Sequence, residues 1–211
     1  MRALPIALTL GLMAATLSAQ SWRDQMKMVD HDLRTERYAH ARKWSIKMIN
    51  SMSDHLNTGP DAMYTLAMAV AYRAIAESGL GNAADADWYW HVAKSLYPDL
   101  AQKDWSAYGE AATRVDAEDI RASEGSPLPV PIRRVDPECP VSAVTGGYYE
   151  SVTMAVVVGK DGIPRCPRLV AAKQTPTLIY AAFEALRQWR FATLAAPAEY
   201  QLTVNFDPPR S

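Results

Sequence analysis

The stretch SVTMAVVVGKDG, residues 151–162, decides the fold class because its side chains alternate and then reach a turn. The apolar side chains on one face of this segment are Val152, Met154, Val156 and Val158. That two-residue period is typical of a β-strand, and Asp-Gly supplies the positive backbone angles of a tight turn. We therefore predict a strand over Ser151–Gly159 and a returning strand over Ile163–Ala172. Pro164 and Pro167 lack amide donors, which suits an edge or an irregular start better than the sheet centre.

The residues that follow predict a helix packed on this sheet and then a third strand. Thr175 can cap a helix that begins at Pro176, and its apolar face runs into the triplet Trp189-Arg190-Phe191. After this helix, apolar and polar residues alternate over Tyr200–Phe206. The order strand, turn, strand, helix, strand predicts a small antiparallel three-stranded sheet with one packed helix.

The first half of the chain is predicted to be helical, because apolar residues recur at helical spacing and proline and glycine are sparse. The predicted helices are Ser21–Leu33, Glu36–His55, Asp61–Ser78, Ala83–Tyr97 and Leu100–Val115. The fold class is therefore α+β, with an all-α helical-hairpin domain before the sheet domain. A proline-rich linker over 118–138 is predicted to join the helical domain, 20–117, to the sheet domain, 139–211.

The extreme N terminus is typical of an export signal. Arg2 precedes the apolar run Ala3–Leu17, and small residues lead up to Ala19, which predicts a signal peptide over 1–19. This run is shorter than the about 20 apolar residues that span a bilayer. We therefore expect a periplasmic protein with no stable membrane span. An uncleaved leader that anchors the protein in the inner membrane is the alternative.

Composition and cysteine content narrow the class further. The chain is 49% hydrophobic and 21% charged, as in an ordinary globular protein. Its net charge of -1 gives no general attraction to nucleic acid or to acidic membranes. The two cysteines, Cys139 and Cys166, predict a structural disulfide if the protein is exported. Such a bond stabilises a fold by about 3–4 kcal/mol on the chain-entropy model.

Two ordered sets of residues resemble known families. In the helical half, small and aromatic residues follow the spacing of the second helix of a tetratricopeptide repeat at Gly81, Ala86, Trp90, Ala93 and Pro98. The second set, within 131–206, comprises Val152–Val158, Asp161-Gly162, Ala181-Ala182 with Ala185-Leu186, Trp189-Arg190-Phe191 and Leu202–Phe206. This second set resembles the C-terminal domain of the TonB family. In that family the triplet packs the end of the helix, so Trp189 and Phe191 are expected to be buried, with Arg190 solvated or paired.

The resemblance to TonB implies a periplasmic module whose sheet accepts a segment of a partner as an added strand. The matching edge comprises Tyr200, Gln201, Leu202, Thr203, Val204, Asn205 and Phe206. Unpaired amides and carbonyls along such an edge suit strand addition. The expected partner is a protein or peptide of the cell envelope, with outer-membrane receptors among the candidates. Alternatively, the helical domain or a second copy of the chain covers the edge, or the protein is a membrane-anchored energy transducer of the TonB type.

The sequence predicts no catalytic, cofactor-binding or metal-binding residue. Ser53-Asp54-His55 are adjacent, so on a helix they point in different directions and do not form a triad. Asp30-His31-Asp32 is interpreted as a polar helix face, and His40 and His91 as ordinary packed histidines. In Trp88-Tyr89-Trp90, Trp90 is expected to be core, and Trp88 or Tyr89 is expected to be freer to contact a ligand. We therefore expect a non-enzymatic binding protein, with an envelope enzyme of unrecognised site as a further alternative.

Overall fold

The structure is a computed structural model that describes residues 22–54, 61–115, 123–125, 127–172 and 175–206. The predicted signal peptide over 1–19 and the candidate His55 lie outside these described residues. Within them, no helix combines the length and the apolar character needed to cross a membrane.

Four consecutive helices build the N-terminal half: α1 over 22–34, α2 over Tyr38–Asp54, α3 over Ala62–Gly79 and α4 over Ala83–Leu96. These helices were predicted from apolar spacing and are confirmed, with differences only at their ends. Helix α3 packs against both α2 and α4. Small side chains allow this close approach: Ala67, Ala71 and Ala74 are fully buried. A Cβ on Gly79 would lie 2.4 Å from the ring of Tyr38.

The prediction of a single helix over Leu100–Val115 is wrong. This region forms the 3-10 helices Pro98–Gln102 and Ser106–Tyr108 and then α5 over Gly109–Val115. Asp104 favours the break because its Oδ1 accepts a hydrogen bond from the backbone N–H of Ser106 at 2.9 Å, which competes with helix formation. Gly109 has a φ of +63°, outside the right-handed helical region.

The C-terminal half combines a sheet with two helices, α6 over Val141–Gly146 and α7 over Pro176–Arg187. Its strands are β1 over Ser123–Glu124, β2 over Pro131–Arg133, β3 over Ser151–Val158, β4 over Pro164–Ala171, β5 over Arg190–Phe191 and β6 over Ala198–Asn205. The predicted strands correspond to β3, β4 and β6, and the predicted helix to α7. The protein is thus α+β, as the sequence predicts.

The main sheet has the strand order β1-β6-β3-β4, and β2 and β5 form a separate two-stranded sheet. β3 is antiparallel to both β4 and β6, whereas β1 is parallel to β6. The expected three-stranded sheet is therefore present, with one short extra strand beside β6. β4 lies at the other edge, which confirms the interpretation of Pro164 and Pro167.

One buried cluster joins the two halves of the chain. Leu178, Phe183 and Leu186 of α7 are fully buried in a cluster that also contains the apolar face of β3 and the cores of α3 and α4. A polar contact also links the two halves: Nη1 of Arg73 on α3 donates a hydrogen bond to the hydroxyl of Tyr180 on α7 at 2.9 Å. The helices of the first half therefore pack directly against the sheet domain.

Candidate functional site

β6 is paired along its whole length on one side and along only its start on the other. Its inner side pairs with β3 from Ala198 to Asn205. Its outer side pairs with β1 at Ala198 and Glu199, and the N–H of Gly125 donates to the oxygen of Glu199 at 2.8 Å. Among the described residues, no strand pairs with the outer side of β6 beyond this point.

The hydrogen-bond pattern identifies which backbone groups of β6 face outward. The N–H of Phe206 donates inward to the oxygen of Glu150 at 2.9 Å, whereas the oxygen of Glu199 accepts from the outer side. Backbone groups alternate along a strand, so even-numbered residues face β3 and odd-numbered residues face outward. The outward N–H and C=O groups beyond Glu199 belong to Gln201, Thr203 and Asn205. Together these three residues form a row of backbone donors and acceptors along 201–205.

Gln201, Thr203 and Asn205, whose backbone groups point outward in the plane of the sheet, have polar side chains that are exposed on one face of the sheet. Thr203 Oγ1 lies 3.0 Å from Thr153 Oγ1 on β3, and Asn205 Oδ1 accepts a hydrogen bond from Ser151 Oγ at 2.8 Å. The side chains that alternate with them are buried: Tyr200, Leu202, Val204 and Phe206. Burial of that face fixes the register of β6, because a slip of one residue would expose every apolar side chain. The register of β6, and with it the direction of its outer backbone groups, is therefore fixed.

The opposite edge of the sheet is covered by the helical half. Ser95 on α4 lies beside β4, where its Oγ accepts a hydrogen bond from the N–H of Leu169 at 3.2 Å. The same hydroxyl donates to the backbone oxygen of Pro167 at 3.3 Å. One serine thus satisfies a backbone donor and an acceptor that a further strand would otherwise pair with.

The triplet Trp189-Arg190-Phe191 joins the end of α7 to the proline-rich segment. Trp189 and Phe191 are 4% and 1% exposed, so both belong to the core. The indole Nε1 of Trp189 donates to the backbone oxygen of Val135 at 2.8 Å. Arg190 is half-buried, and its guanidinium donates to the backbone oxygen of Arg187 at 3.0 Å. The triplet packs and closes the helix end, and it holds residues 130–135 against the sheet domain.

The tight turn between β3 and β4 rests on this triplet. The N–H of Phe191 donates to the oxygen of Gly162 at 2.9 Å, and the N–H of Leu194 donates to the oxygen of Lys160 at 3.0 Å. Gly162 has a φ of +73°, and a Cβ there would lie 2.0 Å from the oxygen of Phe191. Only glycine fits this position. The Asp-Gly and Trp-Arg-Phe parts of the family-like pattern are therefore in direct contact.

The segments Asp161-Gly162, Trp189-Arg190-Phe191 and Leu202–Phe206 thus come together around one small sheet. Neither models of protein families nor curated proteins give a match to this sequence. The resemblance rests on the residues named above and on their order along the chain.

Cys139 and Cys166 are both free thiols in the structure, so the predicted disulfide is not formed. The two sulfurs have different surroundings. Cys139 packs against the hydrophobic core, and burial raises the pKa of its thiol. Cys166 instead has its Sγ within 4.8 Å of ligand-type atoms of Asp87 and His91.

The acidic residues of Asp30-His31-Asp32 bind different partners, as a polar helix face would. Asp30 accepts hydrogen bonds from Arg34 at 2.8 Å and from the Tyr108 hydroxyl at 2.5 Å. Burial raises the pKa of Asp30, but these hydrogen bonds outweigh it and leave the pKa below its ordinary value. Asp32 pairs with Arg37 and His40, and His31 is exposed. The two carboxylates do not converge on a common ligand position.

The remaining candidates of the sequence also take structural positions where the structure describes them. Trp88 and Tyr89 are 4% and 0% exposed, so the expectation that one of them is free for a ligand is wrong. Both pack because α4 is enclosed by α3 on one side and by the sheet domain on the other. Ser53 Oγ donates to the oxygen of Ile49 at 3.1 Å, within its own helix.

Sequence reasoning missed one cluster, formed by Asp87, His91 and Cys166. Each residue offers a ligand-type atom, and these atoms lie within 4.8 Å of one another. Burial lowers the pKa of His91, but hydrogen bonds with Cys166 and with the backbone of Asp87 outweigh it and raise the pKa to about 9. The spacing of Asp87 and His91, one helical turn apart, was a visible signal. The approach of Cys166 from the other half of the chain was not.

Proposed function

We propose that this protein is an exported, non-enzymatic binding protein that takes up an extended segment of a cell-envelope protein as a strand beside β6. The observation that carries the proposal is the row of outward backbone groups at Gln201, Thr203 and Asn205. Strand addition uses such a row for affinity, because each main-chain hydrogen bond contributes about 1 kcal/mol net.

The asymmetry between the two edges supports this proposal. The helical half was one of the alternatives for covering the β6 edge, but it lies against β4 through Ser95. A peptide beside β6 therefore does not have to displace α4. The resemblance of the motifs to the TonB family supports the same edge and suggests outer-membrane receptors as a partner class.

Export with cleavage of the leader is part of the proposal and rests on the sequence pattern of residues 1–19. A membrane-anchored transducer of the TonB type would use the same binding step but keep its leader. N-terminal sequencing of the protein from periplasmic and membrane fractions separates the two, because the proposal expects a mature chain that begins near Gln20. An intact Met1 in the membrane fraction would favour the transducer.

The binding step is tested by a photoreactive residue at Thr203 in the full-length protein inside cells, followed by mass spectrometry of the crosslinked product. Val170, which is exposed on β4, is the matched control position. The proposal expects an envelope protein at Thr203 and not at Val170. Crosslinks at Thr203 only to the protein's own helical half would contradict it.

A peptide taken from the captured protein then permits a backbone-level test. Thr203→Pro removes the outward N–H, and its affinity should fall about tenfold or more, since about 1.4 kcal/mol corresponds to a factor of ten. Thr203→Ala keeps that N–H and should bind as the wild type does, as measured by fluorescence anisotropy. Equal binding by both variants and the wild type would exclude strand addition at this edge.

A further inference from the structure

We propose that Asp87, His91 and Cys166 form a binding site for one transition-metal ion, with Zn²⁺ the best match. Carboxylate, imidazole and thiolate are the ligand types that Zn²⁺ takes in proteins. A thiolate and a carboxylate together also balance the charge of a divalent ion. Mg²⁺ and Ca²⁺ prefer oxygen ligands and do not suit a site with a sulfur.

The spacing of the ligand atoms fits a metal site with little movement. They lie within 4.8 Å of one another. Ligands bound tetrahedrally to Zn²⁺ at about 2.0–2.3 Å are about 3.3–3.8 Å apart. The change needed is on the order of one ångström, within reach of side-chain rotation. Asp87 and His91 lie one turn apart on α4, so the helix already holds two of the ligands together.

The imidazole of His91 is held in place before any ion binds. Its Nδ1 lies 2.9 Å from the backbone oxygen of Asp87, at hydrogen-bond distance. His91 is also only 6% exposed, so packing restricts its rotamers. A hydrogen bond from the ring to a carbonyl is a common way of orienting a metal-binding histidine.

The backbone at Cys166 is bent in a way that directs its side chain towards α4. Its φ is +47°, which is uncommon for a residue other than glycine. The pairing register shifts here, because Val157 pairs with Arg165 and Ala155 pairs with Arg168. Cys166 and Pro167 therefore both lie opposite Val156, as in a β-bulge, which re-aims a side chain. A strained backbone position that presents a ligand atom is typical of a functional site.

The surroundings of the cluster include both acidic and basic side chains. Asp87 lines a cavity of about 410 Å³ that provides a route from solvent. Arg165 lines the same cavity, but both carboxylate oxygens of Asp161 bind its guanidinium, at 2.7 and 2.8 Å. Arg187, also in the lining, is paired with Asp85, whereas the lining residues Arg133 and Arg190 add positive charge that a bound cation has to overcome.

The test is Co²⁺ and Zn²⁺ titration of the full-length, untagged, reduced protein. Co²⁺ should give a thiolate-to-metal charge-transfer band and the intense visible bands of a tetrahedral ion, at one ion per chain. Zn²⁺ should displace Co²⁺ and raise the melting temperature. Cys166→Ser should abolish the charge-transfer band, and His91→Gln and Asp87→Asn should each weaken binding by about 100-fold or more.

Cys139→Ser is the matched control, because it removes the other thiol and should bind both ions as the wild type does. The melting temperature of each variant without metal shows whether it has folded. In the wild type, Zn²⁺ should protect Cys166 but not Cys139 from a thiol reagent. This measurement does not depend on the folding of any variant. Zn²⁺ binding that persists in Cys166→Ser, or equal reactivity of Cys166 with and without Zn²⁺, would overturn the site. A Cys139–Cys166 disulfide in the native protein would also overturn it.

Discussion

In the four-stranded sheet β4 is an outer strand, and β6 has the two-residue strand β1 on its outer side. The described part of the chain contacts these two sides of the sheet differently. β4 carries prolines and a bulge, and α4 covers it through the hydroxyl of Ser95. β6 is regular and, in the described part of the chain, is flanked only at Ala198 and Glu199. Open edges favour aggregation, so proteins generally cover or disrupt them. Within the described residues, the β4 side is covered, whereas β6 beyond Glu199 has no strand paired on its outer side.

The helical half contributes the cover on the β4 side of the sheet. Its helices do not merely precede the sheet, since α3 and α4 share a buried cluster with α7 and β3. That packing places α4 beside β4 and brings Asp87 and His91 near Cys166. The covered side of the sheet is therefore where the two halves meet, and the proposed docking side of β6 lies away from this contact.

The largest expected effect distinguishes the inward-facing from the outward-facing backbone groups of β6. It comes from placing proline at each of two adjacent positions, 202 and 203. Leu202 faces β3 opposite Met154, so Leu202→Pro removes an inner hydrogen bond and a buried side chain. The expected loss of unfolding free energy is on the order of 5 kcal/mol. Thr203→Pro removes only an outward N–H and a hydroxyl contact, so about 1 kcal/mol is expected. Urea denaturation measures the loss of unfolding free energy in both variants. Leu202→Ala shows how much of the loss in Leu202→Pro comes from the missing side chain. Similar losses for the two prolines would contradict the assigned direction of the backbone groups.

The next largest effect is expected at the turn between β3 and the covered strand β4. Gly162→Ala should cost about 3 kcal/mol, because the left-handed backbone and the nearby oxygen of Phe191 both oppose a Cβ. Gly147 has a similar φ of +68°, but no atom lies within 4 Å of the position that a Cβ would take there, so it is the matched control. Gly147→Ala should cost about 1–2 kcal/mol. Thermal or urea denaturation measures the difference, and equal costs would mean that the contact with Phe191 is unimportant.

Much of the fold follows from sequence patterns, and the failures have local causes. β3, β6 and α7 each have a clear period and were predicted. β1, β2 and β5 are only two or three residues long, too short to show alternation, and their pairing depends on distant segments. Leu100–Val115 has helical spacing, but the hydrogen bond of Asp104 and the backbone of Gly109 interrupt it.

The residues of the two proposed sites were recognisable from the sequence to different degrees for the same reason. The open edge is one continuous strand, so its residues could be named from alternation together with a resemblance to a family. The Asp87, His91 and Cys166 cluster needs a bulge in β4 and the packing of α4 against it, and neither has a local signature. Only the spacing of Asp87 and His91 was visible in the sequence.

The smallest expected effect concerns the cover on β4. Ser95→Ala leaves the N–H of Leu169 and the oxygen of Pro167 without the serine hydroxyl, and about 1 kcal/mol of unfolding free energy should be lost. Ser95→Thr keeps a hydroxyl and should lose less. Urea denaturation measures the loss, and faster exchange of the Leu169 amide locates it. An unchanged Leu169 amide in Ser95→Ala would show that Ser95 does not cover this edge.

The most direct test of the open edge is amide hydrogen exchange along β6, resolved by residue with NMR, in the full-length protein without any partner. The account predicts alternation: slow exchange at Leu202, Val204 and Phe206, whose N–H groups face β3, and fast exchange at Gln201, Thr203 and Asn205. Slow exchange at all of these residues would mean that another segment already pairs with the outer side of β6. That result would contradict the central claim that this edge is available to a partner.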